Sequence, residues 1–179
     1  MFDLNGKVSL ITGGNSGIGL GFAEGLASQG AEVCIWGRNQ EKNAAAEEKL
    51  KGYGVKAAAM RCDVSIESEV VDSFAKTLEI FGHVDSCFAN AGVGGGGMPF
   101  DAMTEDEWHR VFRVNMDGVV FTFREAVKHM KERGQGGSLV VTSSGTARFG
   151  AAGSEHYSAT KAGVIALITA ALGGTRVQC

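Results

Sequence analysis

The stretch from Lys7 to Gly19 constrains the fold more than any other part of the chain. A short apolar run, Lys7 to Thr12 (KVSLIT), leads into Gly13-Gly14-Asn15-Ser16-Gly17-Ile18-Gly19. The run has the length and composition of a buried strand. From Gly17 to Gly30 the spacing of Ile18, Phe22, Leu26 and Ala27 lines one face of a helix. A strand that turns through glycines into a helix opens a parallel sheet, because parallel strands need a crossover between them. The rest of the chain repeats this unit. Strands are predicted at 31–36, 55–62, 84–89 and 138–143, and helices at 40–53, 66–81, 104–133 and 155–172. The helix at 66–81 is expected to bury Val70, Val71, Phe74 and Leu78. The long helix is expected to open with a capping box, Thr104 bonding the amide of Glu107 and the Glu107 side chain returning the bond. Continuous apolar strands alternating with helices imply a parallel sheet covered on both faces, with right-handed crossovers.

At 179 residues the chain has the size of one domain. Its 44% hydrophobic and 21% charged content argues against disorder. A net charge of −3 with no basic run argues against nucleic-acid and membrane-surface partners. No apolar stretch is long enough to span a bilayer. The first residues lack the apolar core of a signal peptide, so a cytoplasmic location is the expectation. Cys34, Cys62, Cys87 and Cys179 form no CxxC and fit neither a zinc site nor a disulfide framework. The first three read as small buried hydrophobes and the last as a tail thiol, and no metal is expected. Glycine is the outlier at 27 residues, roughly twice average usage. Such an excess suits tight turns and backbone that approaches a ligand.

Three glycines, Gly13, Gly17 and Gly19, give Gly-x3-Gly-x-Gly between a strand and a helix. That context is what a phosphate-binding turn requires: backbone access to a pyrophosphate and a helix N-terminus offering free amides and partial positive charge. A dinucleotide site chooses its ribose partner about 20 residues further on. There the chain reads Gly37-Arg38-Asn39, with no acid for a free 2′-hydroxyl. Arg38 suits a 2′-phosphate, so NADP(H) is favoured over NAD(H). Asn15 and Ser16 add no second basic group in the turn.

Tyr157 and Lys161 lie one turn apart, so they share a helix face. A nearby ammonium favours the phenolate of a tyrosine. Ser144 ends the fifth strand and Asn90-Ala91-Gly92 the fourth, both at the carboxyl edge where such sheets bind ligands. Asn115 falls on the apolar stripe of Trp108, Val111, Phe112 and Val119, where a buried amide needs partners. Ser144 lacks the Gly-x-Ser-x-Gly elbow of a hydrolase nucleophile.

In order and spacing, Thr12-Gly13-x3-Gly17-x-Gly19, Asn90-Ala91-Gly92, Asn115, Ser144 and Tyr157-x3-Lys161 resemble the short-chain dehydrogenase/reductase family over about residues 3–172. The resemblance implies an Asn115–Ser144–Tyr157–Lys161 tetrad. In it Tyr157 is the general acid/base, and Ser144 hydrogen-bonds the substrate oxygen. Lys161 lowers the tyrosine pKa and binds the nicotinamide ribose, and Asn115 positions a water. It places Asp63 and Val64 near the adenine and has Asn90 support the sheet and cofactor. The substrate it implies is a small alcohol or carbonyl compound. The fold it implies is an α/β, Rossmann-like doubly wound parallel sheet of strand order 3-2-1-4-5, with helices on both faces. The tetrad has no place for His156, which is expected to face elsewhere. Family members continue beyond the tyrosine helix through two further strands and a substrate lid. Here residues 1–172 read as the NAD(P)-binding domain and 173–179 as a divergent tail, with Gly173 and Gly174 ending the last helix early. A truncated or frame-shifted member is therefore expected, with the fifth strand an open edge and an impaired dinucleotide-binding fragment as the alternative to an active enzyme. Family members form dimers or tetramers through the Asn115 and Tyr157 helices, an assembly that an early helix stop would weaken.

Overall fold

The computed structural model describes residues 2–174, with side chains through residue 170. Strands β1 (Val8–Thr12), β2 (Glu32–Gly37), β3 (Ala57–Arg61), β4 (Ser86–Ala89) and β5 (Ser138–Val141) form one parallel sheet in the order β3-β2-β1-β4-β5. The register runs Ile11 beside Ile35 on one side and Phe88 on the other. After β3 the chain crosses back over β1 to reach β4, so the order reverses between β1 and β4. The architecture is the Rossmann-like doubly wound sheet, and its switch point opens at the carboxyl ends of those two strands.

Alternate residues of each strand feed two cores. Val33, Ile35 and Ile11 face α1 (Gly17–Ala27) and α2 (Gln40–Lys51). Leu10, Cys34, Trp36 and Cys87 face α3 (Glu67–Phe81), α5 (Gly118–Arg133) and α7 (Glu155–Gly174). Burial holds the Cys34 thiol up at about 12 and that of Cys62 at about 11, and raises that of Cys87 as well. These are packing residues. Cys179 lies outside the described residues.

The faces of two helices differ from the sequence reading. In α1 the residues turned into the core are Gly19, Ala23 and Ala27, while Ile18 is 65% exposed. A helix that starts at the end of its own strand must cross the sheet closely, so its smallest residues face inward and larger ones sit at the margin. In α3 Val71 points outward, and Ser73 and Thr77 take buried positions beside Val70, Phe74 and Phe81. The Thr77 hydroxyl accepts from the Trp36 indole at 3.2 Å and donates to the Ser73 carbonyl at 2.8 Å. Those bonds satisfy polar groups that a count of apolar residues treats as misplaced.

The expected single helix over 104–133 is broken. Helix α4 (Glu105–Phe112) passes through a π turn at Arg113–Asp117 into α5. Only half of the capping box forms: Thr104 Oγ1 accepts from the Glu107 amide at 3.2 Å, but the Glu107 carboxylate goes to Arg110 and His156. Helix α7 runs on to Gly174 rather than ending at Leu172. A helical glycine costs about 1 kcal/mol but does not forbid the turn. Of the expected tail, residues 175–179 lie outside the described residues. Short helices at Phe100–Ala102 and α6 (Thr146–Phe149) fill stretches read as loop. Among the described residues β5 pairs only with β4.

Candidate functional site

A cleft of about 440 Å³ opens at the switch point. Its floor is the turn from β1 into α1. Gly13 and Gly17 hold φ of +65° and +54°, a region that side chains disfavour. A Cβ on Gly19 would lie 2.3 Å from the Gly13 carbonyl oxygen, so the turn closes only with glycine there. Ser16 caps α1 with no side-chain hydrogen bond, which leaves the first-turn amides free of a side-chain partner. Asn15 looks away from them: its Nδ2 donates to Asn43 Oδ1 at 2.7 Å and anchors the turn to α2.

The centre of the cleft is stitched across three strands. Thr12 Oγ1 accepts from the Asn90 and Ala91 amides, each at 3.0 Å. Asn90 Nδ2 donates to the Thr12 carbonyl at 3.1 Å, and Asn90 Oδ1 accepts from Thr142 Oγ1 at 3.0 Å. One asparagine thus locks the ends of β1, β4 and β5 in register.

At the far end α7 brings Tyr157 and Lys161 onto one wall, with the Lys161 ammonium 5.7 Å from the Tyr157 ring centroid. Lys161 is buried and donates from Nζ to the Thr142 carbonyl at 2.8 Å. Burial lowers its pKa below the ordinary lysine value. Ser143 Oγ donates to the Lys161 carbonyl at 2.7 Å, which ties the end of β5 to α7. Ser144 Oγ accepts from the Thr146 amide at 3.3 Å and hydroxyl at 3.1 Å, so its own hydrogen is free to donate.

Asn115 lies fully buried in the π turn. Its Oδ1 accepts from the Val93 amide at 2.9 Å, and its Nδ2 donates to the Val93 carbonyl at 3.0 Å and to Thr160 Oγ1 at 3.1 Å. These bonds brace the segment that leaves β4 against α7 and leave one lone pair of Oδ1 open.

Of the residues singled out by sequence, Gly13, Asn15, Ser16, Ile18, Gly19, Arg38, Asp63, Val64, Asn90, Ala91, Gly92, Tyr157 and Lys161 line this cleft. Gly17 shapes the turn from behind, Asn115 supports the wall, and Ser144 stands beyond the lining at the end of β5. Thr142, Val93 and Val114 also line the cleft and were not singled out. Thr142 carried no motif of its own, since its use arises from register with Asn90. The exposed Arg38 guanidinium stands 3.9 Å from Asp63 Oδ2, and Asp63 Oδ1 holds an Asx turn through the Ser65 amide and hydroxyl. A second cavity, of about 480 Å³, adjoins Arg38 and is flanked by Arg61 and Glu41. No described helix is long and apolar enough to cross a membrane.

The glycine turn, the helix start without a side-chain cap and the residues lining the cleft fit a dinucleotide. Comparison with known proteins places this arrangement in a family. The family model described as short chain dehydrogenase matches residues 7–173. A 3-oxoacyl-acyl-carrier-protein reductase of Chlamydia pneumoniae is 36% identical over 163 residues, which cover 91% of this chain and 65% of the relative. An L-rhamnose 1-dehydrogenase (NAD(P)(+)) of Sphingomonas sp. is 36% identical over 183 residues, covering 98% of this chain and 70% of the relative. Among solved structures, a short chain dehydrogenase/reductase from Burkholderia phymatum in complex with NAD superposes with a TM-score of 0.93 at 32% identity, over 98% of this chain and 62% of that one. A metagenomic short-chain oxidoreductase in complex with NADP gives 0.92 at 31% identity, over 97% and 78%. The chain spans about two thirds of the length of these curated relatives. With the family model matching nearly every residue of the sheet and its helices, the chain belongs to the short chain dehydrogenase family.

Proposed function

We propose that this chain carries the machinery of an oxidoreductase that moves a hydride between NADP(H) and a secondary alcohol or its ketone. The observation that carries the reading is the placement of Tyr157 and Lys161 on the wall of the cleft whose floor is the glycine turn. The nicotinamide cofactor, when bound, supplies or accepts the hydride. The turn of Gly13, Ser16, Gly17, Ile18 and Gly19 holds its pyrophosphate on backbone amides. Asp63 and Val64 would border the adenine, Asn90, Ala91 and Gly92, which line the middle of the cleft, would face the bound cofactor, and Lys161 would bind the nicotinamide ribose.

Tyr157 moves the proton. In oxidation its phenolic oxygen takes the proton of the substrate hydroxyl, and in reduction it returns one to the carbonyl oxygen. Ser144 donates its free hydroxyl hydrogen to that oxygen and stabilises the charge that develops there. Lys161 stands on the same wall, its ammonium 5.7 Å from the Tyr157 ring centroid. The open lone pair of Asn115 Oδ1 suits a water that passes protons to the site. Arg38 would take the 2′-phosphate, while Arg61 across the neighbouring cavity is already paired with Glu69 at 2.8 Å. NAD(H) is the alternative cofactor, and the Asp63 carboxylate 3.9 Å from Arg38 is what favours it, since it offsets the charge.

Turnover of an activated ketone with NADPH tests the reading. Tyr157→Phe should lower kcat by about 10²–10⁴-fold with NADPH affinity unchanged. Equal kcat in the variant would remove Tyr157 from the chemistry.

A further inference from the structure

His156 precedes the tyrosine and is fully buried, yet the proposed reaction does not use it. Its Nε2 lies 3.2 Å from Glu107 Oε1. A carboxylate only accepts, so Nε2 carries the hydrogen. Its Nδ1 is buried without a hydrogen-bond partner among the described residues. The ring therefore sits where it does at a cost, which points to a job for its other edge.

Glu107 is the hub of that job. It gives up the local capping bond expected for its helix position. Instead it accepts from Arg110 Nε at 2.6 Å and Nη2 at 2.8 Å as well as from His156. The hydrogen bond from Arg110 is the main cause that holds the Glu107 carboxyl down at about 2, with the His156 bond adding to it. Arg110 Nη2 also donates to the Gly94 carbonyl at 2.8 Å, and Ser154 Oγ donates to the Gly95 carbonyl at 2.7 Å. The imidazole lies against Gly95: a Cβ there would come within 1.9 Å of Nε2. Two of these bonds end on the segment that leaves β4, one and two residues past the Val93 that Asn115 holds, and Gly94 itself lines the cleft.

We infer that Glu107 and His156 are a positioning pair that fixes the Gly94–Gly96 wall against the tyrosine helix, setting how a carbonyl substrate approaches Tyr157. Gly95 is glycine because the wall must touch the imidazole, and Glu107 ties α4, the wall and α7 into one unit. The pair touches no reacting atom and acts through the wall. Its catalytic consequence rests on the oxidoreductase reading, while its structural consequence does not.

Two readouts test it in the full chain. In Glu107→Gln and His156→Phe, exchange of the Val93 amide should quicken about tenfold while β1 amides, which report global opening, stay unchanged. With ethyl pyruvate as the carbonyl probe, kcat/KM should fall about tenfold, mostly through KM, with the Kd of NADPH within about twofold. Gly95→Ala, whose methyl meets the imidazole, should loosen Val93 in the same way, and adding His156→Ala should loosen it little further, since both changes break the same contact. Val93 exchange that stays unchanged in both single variants, or a Gly95→Ala His156→Ala double variant whose loss is the full sum of two independent losses, overturns the pair. If the unaltered chain reduces no ketone, the oxidoreductase reading fails and the exchange arm still decides the positioning role.

Discussion

Lys161 is a buried ammonium whose side chain, among the described residues, makes one hydrogen bond, to a backbone carbonyl. An uncompensated buried charge opposes folding. Because burial lowers its pKa in the folded chain, the unfolded chain holds the proton to higher pH. Between the lowered value and the ordinary one the unfolded state binds more protons, so stability rises with pH across that window. Lys161→Met should remove this slope and raise stability by about 1 kcal/mol, or roughly 2–4 °C in Tm, while abolishing turnover. Urea midpoints of both proteins at about pH 8 and about pH 10 check it; a less stable variant with the slope intact would show the ammonium to be well compensated. Arg38 is the other residue whose charge decides something. Arg38→Ala should weaken NADPH about tenfold and leave NADH within about twofold, as read by fluorescence titration. Equal losses for both would assign Arg38 to neither ribose.

At the scale of elements, the bonds that join strands to helices come from single polar residues. Asp85 accepts from the Val8 amide at 2.9 Å and from Arg133 at 2.7 Å, joining the start of β1, the entry to β4 and the end of α5. Burial alone would raise its carboxyl, but the Arg133 and Val8 hydrogen bonds, with the charges of Arg133 and Lys7, hold it below the usual value. A depressed folded value means stability that is present above the unfolded value and lost as pH falls through the folded one. Asp85→Ala should therefore cost about 2 kcal/mol at neutral pH and flatten the loss of stability as pH falls below the ordinary aspartate value, seen in urea midpoints. The same kind of bond explains what the sequence did and did not disclose. Strands and crossovers were legible because apolar runs and glycine turns are local signals. The inward face of α1 was not, since Gly19, Ala23 and Ala27 are chosen by closeness to the sheet rather than by hydrophobicity. The π turn was not, since Asn115 is satisfied by Val93 and Thr160, far away in sequence. Glu107 was misread because its carboxylate goes to Arg110, one turn on, and to the distant His156 rather than back to the start of its helix.

At the scale of the whole molecule, the cleft is where both helix layers and the ends of β1, β2, β4 and β5 meet. The residues lining it were legible as separate motifs, because each sits at a strand end and the strand order brings those ends together. Their linkage through Thr142 and Asn90 was not, because it depends on register across the sheet. A ligand that bridges the cleft binds only the folded chain, so it stabilises the molecule by mass action. At a concentration of about 100 Kd the gain is about 2.7 kcal/mol, or roughly 5–10 °C in Tm for a chain of this size. At equal concentrations NADPH should raise Tm more than NADH, and Arg38→Ala should bring the two shifts together. Tyr157→Phe should leave both shifts in place, because the phenol acts on the substrate rather than on the fold. A shift lost with Tyr157→Phe would make the tyrosine a cofactor ligand first. A shift absent for both dinucleotides would mean that the turn at Gly13–Gly19, though formed, does not hold a pyrophosphate.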